Sequence, residues 1–136
     1  MNIIEVYKKF PTKEACFTHL ENVRWKGKPK CPYCNSTNST PMKKEFRHHC
    51  NVCNTSYSAT VSTIFHRTHI DLQKWFLAIT LMLNATKAIS SRQLAKNLAV
   101  NKDTAWYMVT RIREAIHEQR ELLQDIVHLT YSQREN

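Results

Sequence analysis

The spacing of four cysteines constrains this chain more than any other feature. The sequence reads Cys31-Pro32-Tyr33-Cys34, then fifteen residues, then Cys50-Asn51-Val52-Cys53. Two Cys-x-x-Cys pairs at this separation are the pattern of a four-cysteine zinc site. Each short pair can turn on itself so that both thiolates face one point, and two such knuckles supply the closed tetrahedral sulfur shell that structural zinc prefers. With all four positions filled by sulfur, no coordination site is left for substrate or water. One structural zinc per chain is expected, with no chemistry at the metal. Asn35 and Asn54 follow the knuckles, where a left-handed backbone is often needed and asparagine tolerates it better than most residues. Two disulfides or four buried thiols are the competing reading; Pro32 inside the first knuckle favours the metal.

A chain of 136 residues suits one or two small domains and, folding alone, buries only about two-thirds of its unfolded surface. Zinc binding by a comparable peptide is worth on the order of 10–16 kcal/mol in apparent terms, enough to support a ribbon too small to keep its own core. No apolar run approaches membrane length and Met1-Asn2-Ile3-Ile4-Glu5 lacks a signal-peptide pattern, so a cytoplasmic protein with no membrane partner is expected. Reduced cysteines agree with that compartment, the fifth, Cys16, reading as a small core residue. The formal charge is +9, unevenly spread: residues 1–100 hold fifteen Lys and Arg against five Asp and Glu, residues 101–136 five against six. Such a balance points to a polyanion, nucleic acid by default, against the plainer reading of a generically basic soluble protein.

Along the chain, Thr12 caps a helix running to about Val23, with Phe17, Leu20 and Val23 on one face. A linker from Arg24 to Lys30 follows, and Trp25 reads as a packing anchor, a base-stacking role being the alternative. Asn35 to Thr40 is a polar loop, Met42 to His49 a strand carrying Lys43, Lys44 and Arg47, and Ser56 to Val61 is rich in strand formers, so a small antiparallel sheet is expected. His48 and His49 read as surface groups rather than replacement metal ligands, and His66 and His69 as surface groups within reach of phosphate. Asp71 caps an apolar helix from Ile70 to near Asn84, with Ile70 stapled against Trp75, and Ala85 to Ile89 is the connection. Ser90 to Gln93 fits a capping box opening a short helix with Leu94 and Leu98 inward; Ala99-Val100-Asn101 is a tight turn, and Asn101 caps a third helix. That is helix-turn-helix spacing, which a generic helical hairpin also produces. Val109, Ile112, Ile116, Leu123 and Ile126, interrupted by Gln119, form a heptad-like seam on one long helix. Ordinary core is the plainer account of it, a homodimer or partner-binding C-terminal helix the sharper one.

The order of helix, four-cysteine ribbon, Trp-bearing apolar helix and helix-turn-helix resembles the N-terminal part of bacterial insertion-sequence transposases with a transposase zinc-ribbon module. The matching passages are Phe10-Pro11-Thr12-Lys13-Glu14-Ala15-Cys16, Arg24-Trp25, Cys31-Pro32-Tyr33-Cys34, Thr63-Ile64-Phe65-His66-Arg67, Lys74-Trp75-Phe76-Leu77-Ala78-Ile79, Leu94-Ala95 and Thr104-Ala105-Trp106, within about residues 10–117. The resemblance implies Cys31, Cys34, Cys50 and Cys53 as zinc ligands and recognition of mobile-element DNA ends. It also implies a following ribonuclease-H-like catalytic domain with three acidic metal ligands, which would begin where this sequence ends, at Asn136. Asn35, Asn54 and Ser62 stand where that family usually has glycine.

The expected fold is therefore α+β, mostly α. It comprises an N-terminal helix and linker (1–30), a zinc ribbon (31–66), a helix-turn-helix domain (67–117) and a C-terminal helical tail (118–136). The expected function is double-stranded DNA binding by a transposase-like segment. Lys43, Lys44, Arg47, Arg67 and Arg92 would contact phosphate, and Lys102, Asp103, Thr104, Tyr107 and Arg111 would face the major groove. No catalytic residue is expected, since Asp71, Asp103 and Asp125 are scattered and Glu114, Glu118 and Glu121 share one helix. The runner-up is a regulatory adaptor whose ribbon and seam bind a partner, for example a transposase it inhibits. A third reading is an RNA-binding ribbon stacking bases on Tyr33, Phe46 and Tyr57.

Overall fold

The computed structural model describes residues 3–66, 68–84 and 89–135, with side chains among residues 4–127. Its elements run α1 (Ile3–Lys9), α2 (Lys13–Trp25), β1 (Ser39–Met42), β2 (Arg47–Cys50), β3 (Ser56–Tyr57), α3 (Leu72–Asn84), α4 (Ser91–Leu98), α5 (Lys102–Glu118) and α6 (Arg120–Glu135). The α+β, mostly α, class is the one that forms.

Three helices start on the caps that the sequence supplies. Thr12 Oγ1 accepts from the Ala15 N–H at 3.1 Å, Ser90 Oγ from Gln93 at 3.1 Å and Asn101 Oδ1 from Thr104 at 2.7 Å. Each of these bonds satisfies a donor that the first helical turn leaves open. At the start of α3 the Asp71 carbonyl accepts from Lys74 and Trp75, while the Trp75 indole N–H donates to Thr68 Oγ1 at 3.0 Å.

The sheet is three-stranded and antiparallel in the order β1-β2-β3, with Ser39 opposite Cys50, Met42 opposite Arg47 and His48 opposite Tyr57. The single strand expected from Met42 to His49 is instead a hairpin. A 3-10 turn at Lys43–Glu45 reverses the chain, and Phe46 at φ 55° completes it. The strand expected to reach Val61 stops at Tyr57, because hydroxyls compete for the backbone beyond it. Ser58 Oγ and Thr60 Oγ1 share a hydrogen bond, Thr63 Oγ1 donates to the Thr60 carbonyl and the Phe65 N–H donates to Thr63 Oγ1. This tight stretch, with Ser62 at φ 65°, carries the chain from ribbon to helices.

Helix α1 is an addition to the sequence reading; Val6 from it and Phe10 just after it are buried in the main core, where Phe10 meets the Phe76 ring edge-on. The one long C-terminal helix of the sequence reading is two. The break falls at Gln119, the polar residue that interrupts the seam, whose Nε2 donates to the Ser62 carbonyl at 2.8 Å. The break lets α6 pack on α2 and α3, where the Ile126 carbonyl accepts from His19 Nε2 at 2.9 Å. Val109, Ile112, Leu123 and Ile126 are all buried inside this chain and Ile116 packs against the same core, so the seam up to Val127 is internal packing. The main core joins α1 and α2 to α3, α4, α5 and α6, while Cys31, Cys50, Tyr57 and Val61 form a second, small core in the ribbon. Trp25 packs against both.

Candidate functional site

Both knuckles close by the same backbone device. The Asn35 N–H donates to the Cys31 carbonyl at 2.9 Å and the Asn54 N–H to the Cys50 carbonyl at 3.0 Å. In return, Cys31 and Cys50 donate to the carbonyls of Ser36 and Thr55, both at 2.9 Å. The reversal needs a left-handed residue, and Asn35 (φ 64°) and Asn54 (φ 59°) supply it, as the sequence implies. The bend aims amides at sulfur, with Tyr33 N 3.4 Å from Cys31 Sγ and Cys53 N 3.5 Å from Cys50 Sγ, and such donors favour the thiolate.

The four sulfurs of Cys31, Cys34, Cys50 and Cys53 lie within 4.8 Å of one another. Two of the separations are 3.7 Å (Cys31 to Cys53) and 3.5 Å (Cys34 to Cys50). A tetrahedral shell with Zn–S bonds of about 2.3 Å sets its sulfurs about 3.8 Å apart, so this donor set fits zinc. All five cysteines are free thiols, which removes the disulfide alternative. Crowded sulfurs with no cation between them titrate unequally. Hydrogen bonds from Thr55 pull Cys53 down to about 6 against desolvation. At Cys34 the Ser36 amide also pulls down, yet desolvation and the three neighbouring thiols hold it up at about 12. A dication resolves that competition by taking all four as thiolates, and with four protein ligands it does structural work.

The ribbon is clamped to α2 at three points, which fixes the zinc site relative to the helices. Arg24 Nη1 donates to the carbonyls of Ala59 at 2.9 Å and Val61 at 2.7 Å. Trp25 presents its edge to His48 and Tyr57, whose rings stack on each other. Phe46 from the hairpin turn stacks on Phe17 of α2 with Lys13 Nζ over both rings. His48 is thereby corrected from a surface group to a buried one: its Nε2 donates to the Glu21 carboxylate at 2.8 Å. His49 is half-buried beside it, His66 is half-buried and His69 exposed.

The turn between α4 and α5 rests on the ending of α4. The Val100 N–H donates to the Ala95 carbonyl at 3.1 Å and the Ala99 N–H to Lys96 at 3.4 Å, with Ala99 left-handed at φ 56°. This is the paired bonding of a Schellman ending, usually built with glycine. Asn101 then caps α5 at once.

The expected contact residues fall in different settings. Lys43 and Lys44 are exposed on the hairpin turn, Arg92 at the start of α4, and Lys102 and Asp103 in the first turn of α5, with Thr104 half-buried. Arg47 is drawn across the sheet, Nη2 donating to Ser56 O at 3.1 Å, and Tyr107 packs edge-on to Trp75. Arg111 turns inward: its Nη2 donates to the Ile64 carbonyl at 3.3 Å and its guanidinium lies over Tyr107. Arg67 and residues 85–88 of the expected connection lie outside the described residues. Of the three aromatics of the RNA reading, Tyr57 is buried and Phe46 covered by Phe17, leaving Tyr33 exposed. A large exposed aromatic that the sequence reading did not assign is Trp106 on α5; its position one turn after Lys102 was the available signal. Among the described residues, no helix is long and apolar enough to cross a membrane.

Residues 11–56 match the family described as the transposase zinc-ribbon domain. An "Uncharacterized protein in transposable element ISH50" of Halobacterium salinarum is 25% identical over 125 residues, which is 90% of this chain and 42% of that protein. The chain thus spans less than half the length of that relative. No solved structure matches it. Residues 11–56 are thus similar to a transposase zinc-ribbon domain, and the four-cysteine zinc site lies within that stretch.

Proposed function

We propose that this chain is a DNA-recognition segment of a transposase-like protein, in which the zinc ribbon (31–66) positions phosphate-binding residues and the helix-turn-helix (67–117) reads sequence. The observation that carries this reading is the α4–turn–α5 unit. Its turn is closed by paired backbone bonds and followed at once by the Asn101 cap, leaving Lys102 and Asp103 exposed at the N-terminal end of α5. That end of the second helix is the part that enters the major groove in helix-turn-helix proteins. Phosphate contacts are assigned to Lys43, Lys44 and Arg92, with Arg67 in the same role. Arg47 and Arg111, engaged within the protein, support the scaffold from which the others reach. The adaptor reading loses part of its surface, since the seam it would offer is consumed by the α5–α6 packing.

The test is competition. Zinc-loaded protein bound to a fluorescent duplex of mixed sequence should be displaced by unlabelled duplex DNA well before single-stranded RNA of equal length. Replacing Lys43 and Lys44 by Gln should weaken binding to every duplex alike. Preferential displacement by the RNA, or no duplex binding at all, would contradict the proposal.

A further inference from the structure

Trp106 is the most exposed of the three tryptophans, at 63%, whereas Trp75 is fully buried and Trp25 half-buried between α2 and the ribbon. Tryptophan, with a large apolar body and one N–H, is enriched at interfaces, which makes the surface around Trp106 a recognition candidate. The faces of α5 say which way it points. Ala105, Met108, Val109, Ile112 and Ala115 are buried, Tyr107 leans on Trp75, and Arg111 reaches back to Ile64. A second stripe, flanking the buried one, runs Lys102, Trp106, Thr110 and Arg113 at steps of four, four and three, so these side chains share one face. Lys102, Trp106 and Arg113 are exposed and Thr110 is half-buried, its hydroxyl donating to the Trp106 carbonyl at 2.9 Å.

The charge around the indole selects the partner. Lys102 precedes it by one turn and Arg113 follows it by two, while Asp103, also exposed, lies three positions before it. An apolar ring with a cation on either side along its stripe fits a surface that is anionic at its rim and apolar in places within, and the duplex major groove is one: phosphates flank it and thymine methyls project into it.

We propose that Trp106 is a specificity-determining residue that packs its indole against the C5-methyl group of thymine, with Lys102 and Arg113 on either side of it on the same face. The inference rests on the DNA-binding reading above. It moves the centre of the reading face from Tyr107 and Arg111 to the stripe through Trp106.

The experiment selects duplexes from one randomised pool with zinc-loaded wild-type protein and, separately, with Trp106→Ala. The wild type should enrich a motif containing at least one thymine that the variant no longer enriches, while the other positions of the motif persist. Replacing that thymine by deoxyuridine, which removes only the methyl, should weaken wild-type binding about fourfold, the worth of one buried apolar carbon. The same replacement should leave Trp106→Ala binding unchanged, and Trp106→Phe should retain much of the methyl effect. Trp106 emission in the unmodified protein should also respond to the selected duplex, a readout that needs no variant to fold. The same motif from both proteins, or no effect of deoxyuridine, overturns the inference while leaving DNA binding standing. An emission change that follows protein concentration instead of DNA assigns Trp106 to contact between copies and overturns it too. Failure of the wild type to bind any duplex brings down both readings.

Discussion

Replacing Arg24 by Ala should weaken the junction between ribbon and helices without touching a zinc ligand. The Arg24 guanidinium clamps the segment that follows β3 to α2, donating to Ala59 and Val61 carbonyls at 2.9 and 2.7 Å. It is partly desolvated there, which lowers its pKa, and lies 5.7 Å from the centre of the Trp25 ring. Ala59 is fully buried and Val61 nearly so, so water cannot freely replace the lost donors. A hydrogen bond to a charged group is worth about 1.5–3 kcal/mol, and the two here share one nitrogen, so the loss should be about 2–4 kcal/mol. With a urea m-value of about 2 kcal/mol per molar, the midpoint falls by about 1–2 M. Arg24→Lys keeps the charge but not the fixed donor geometry, and should recover about half. Zinc content should stay at one equivalent in both variants. A midpoint shift below about 0.3 M for Arg24→Ala, or zinc loss that precedes unfolding, would refute the idea that this arginine is a main link between the two cores.

Three further outcomes follow from particular residues. Zinc affinity should rise steeply with pH, because Cys53 is already ionised above about 6 while Cys34, near 12, must still give up its proton to the metal; calorimetry in buffers of differing ionisation enthalpy reads the protons released, and Cys34→Ser should unfold the ribbon. Ala99→Gly should stabilise the chain by about 0.5–1 kcal/mol in chemical denaturation, since Ala99 is left-handed at φ 56° and glycine bears no Cβ penalty there; a loss of stability would contradict the Schellman ending. His19 is half-buried against Phe10 and Phe76, and desolvation lowers its pKa despite the Ile126 carbonyl. It therefore takes up a proton more readily unfolded than folded, so stability should be full above about pH 6.5 and decline as pH falls below it; His19→Gln should flatten that decline in urea titrations across pH 5–7.

Much of this architecture is legible in local sequence because local physics decides it. The knuckles need cysteine spacing and a residue that tolerates φ above zero, and both stand in the sequence at Cys31 to Asn35 and Cys50 to Asn54. The caps Thr12, Ser90 and Asn101 act within three residues and are read correctly for the same reason. What escapes is decided at long range. The hairpin at Lys43–Glu45 shows no glycine or proline, and Phe46 takes the left-handed conformation where its ring meets Phe17. His48 looks like surface until Glu21 and Trp25, on a different element, close over it. Arg111 has the period of an outward residue, but the Ile64 carbonyl draws it in from a segment 47 positions away. Gln119 is visible as a polar interruption, yet only the Ser62 carbonyl shows that the helix breaks there and folds its continuation back as α6.

Duplex affinity of the zinc-loaded chain across a salt series reads whether its exposed cationic residues neutralise phosphates. Each neutralised phosphate contributes about −0.9 to the slope of log affinity against log salt, so contacts from Lys43, Lys44, Arg67 and Arg92 together give a slope of about −3.6. Replacing Lys43 and Lys44 by Gln should flatten that slope by nearly 2, about 0.9 for each residue, equally on every sequence. An affinity that ignores salt, or a slope that the double replacement leaves unchanged, would contradict the account.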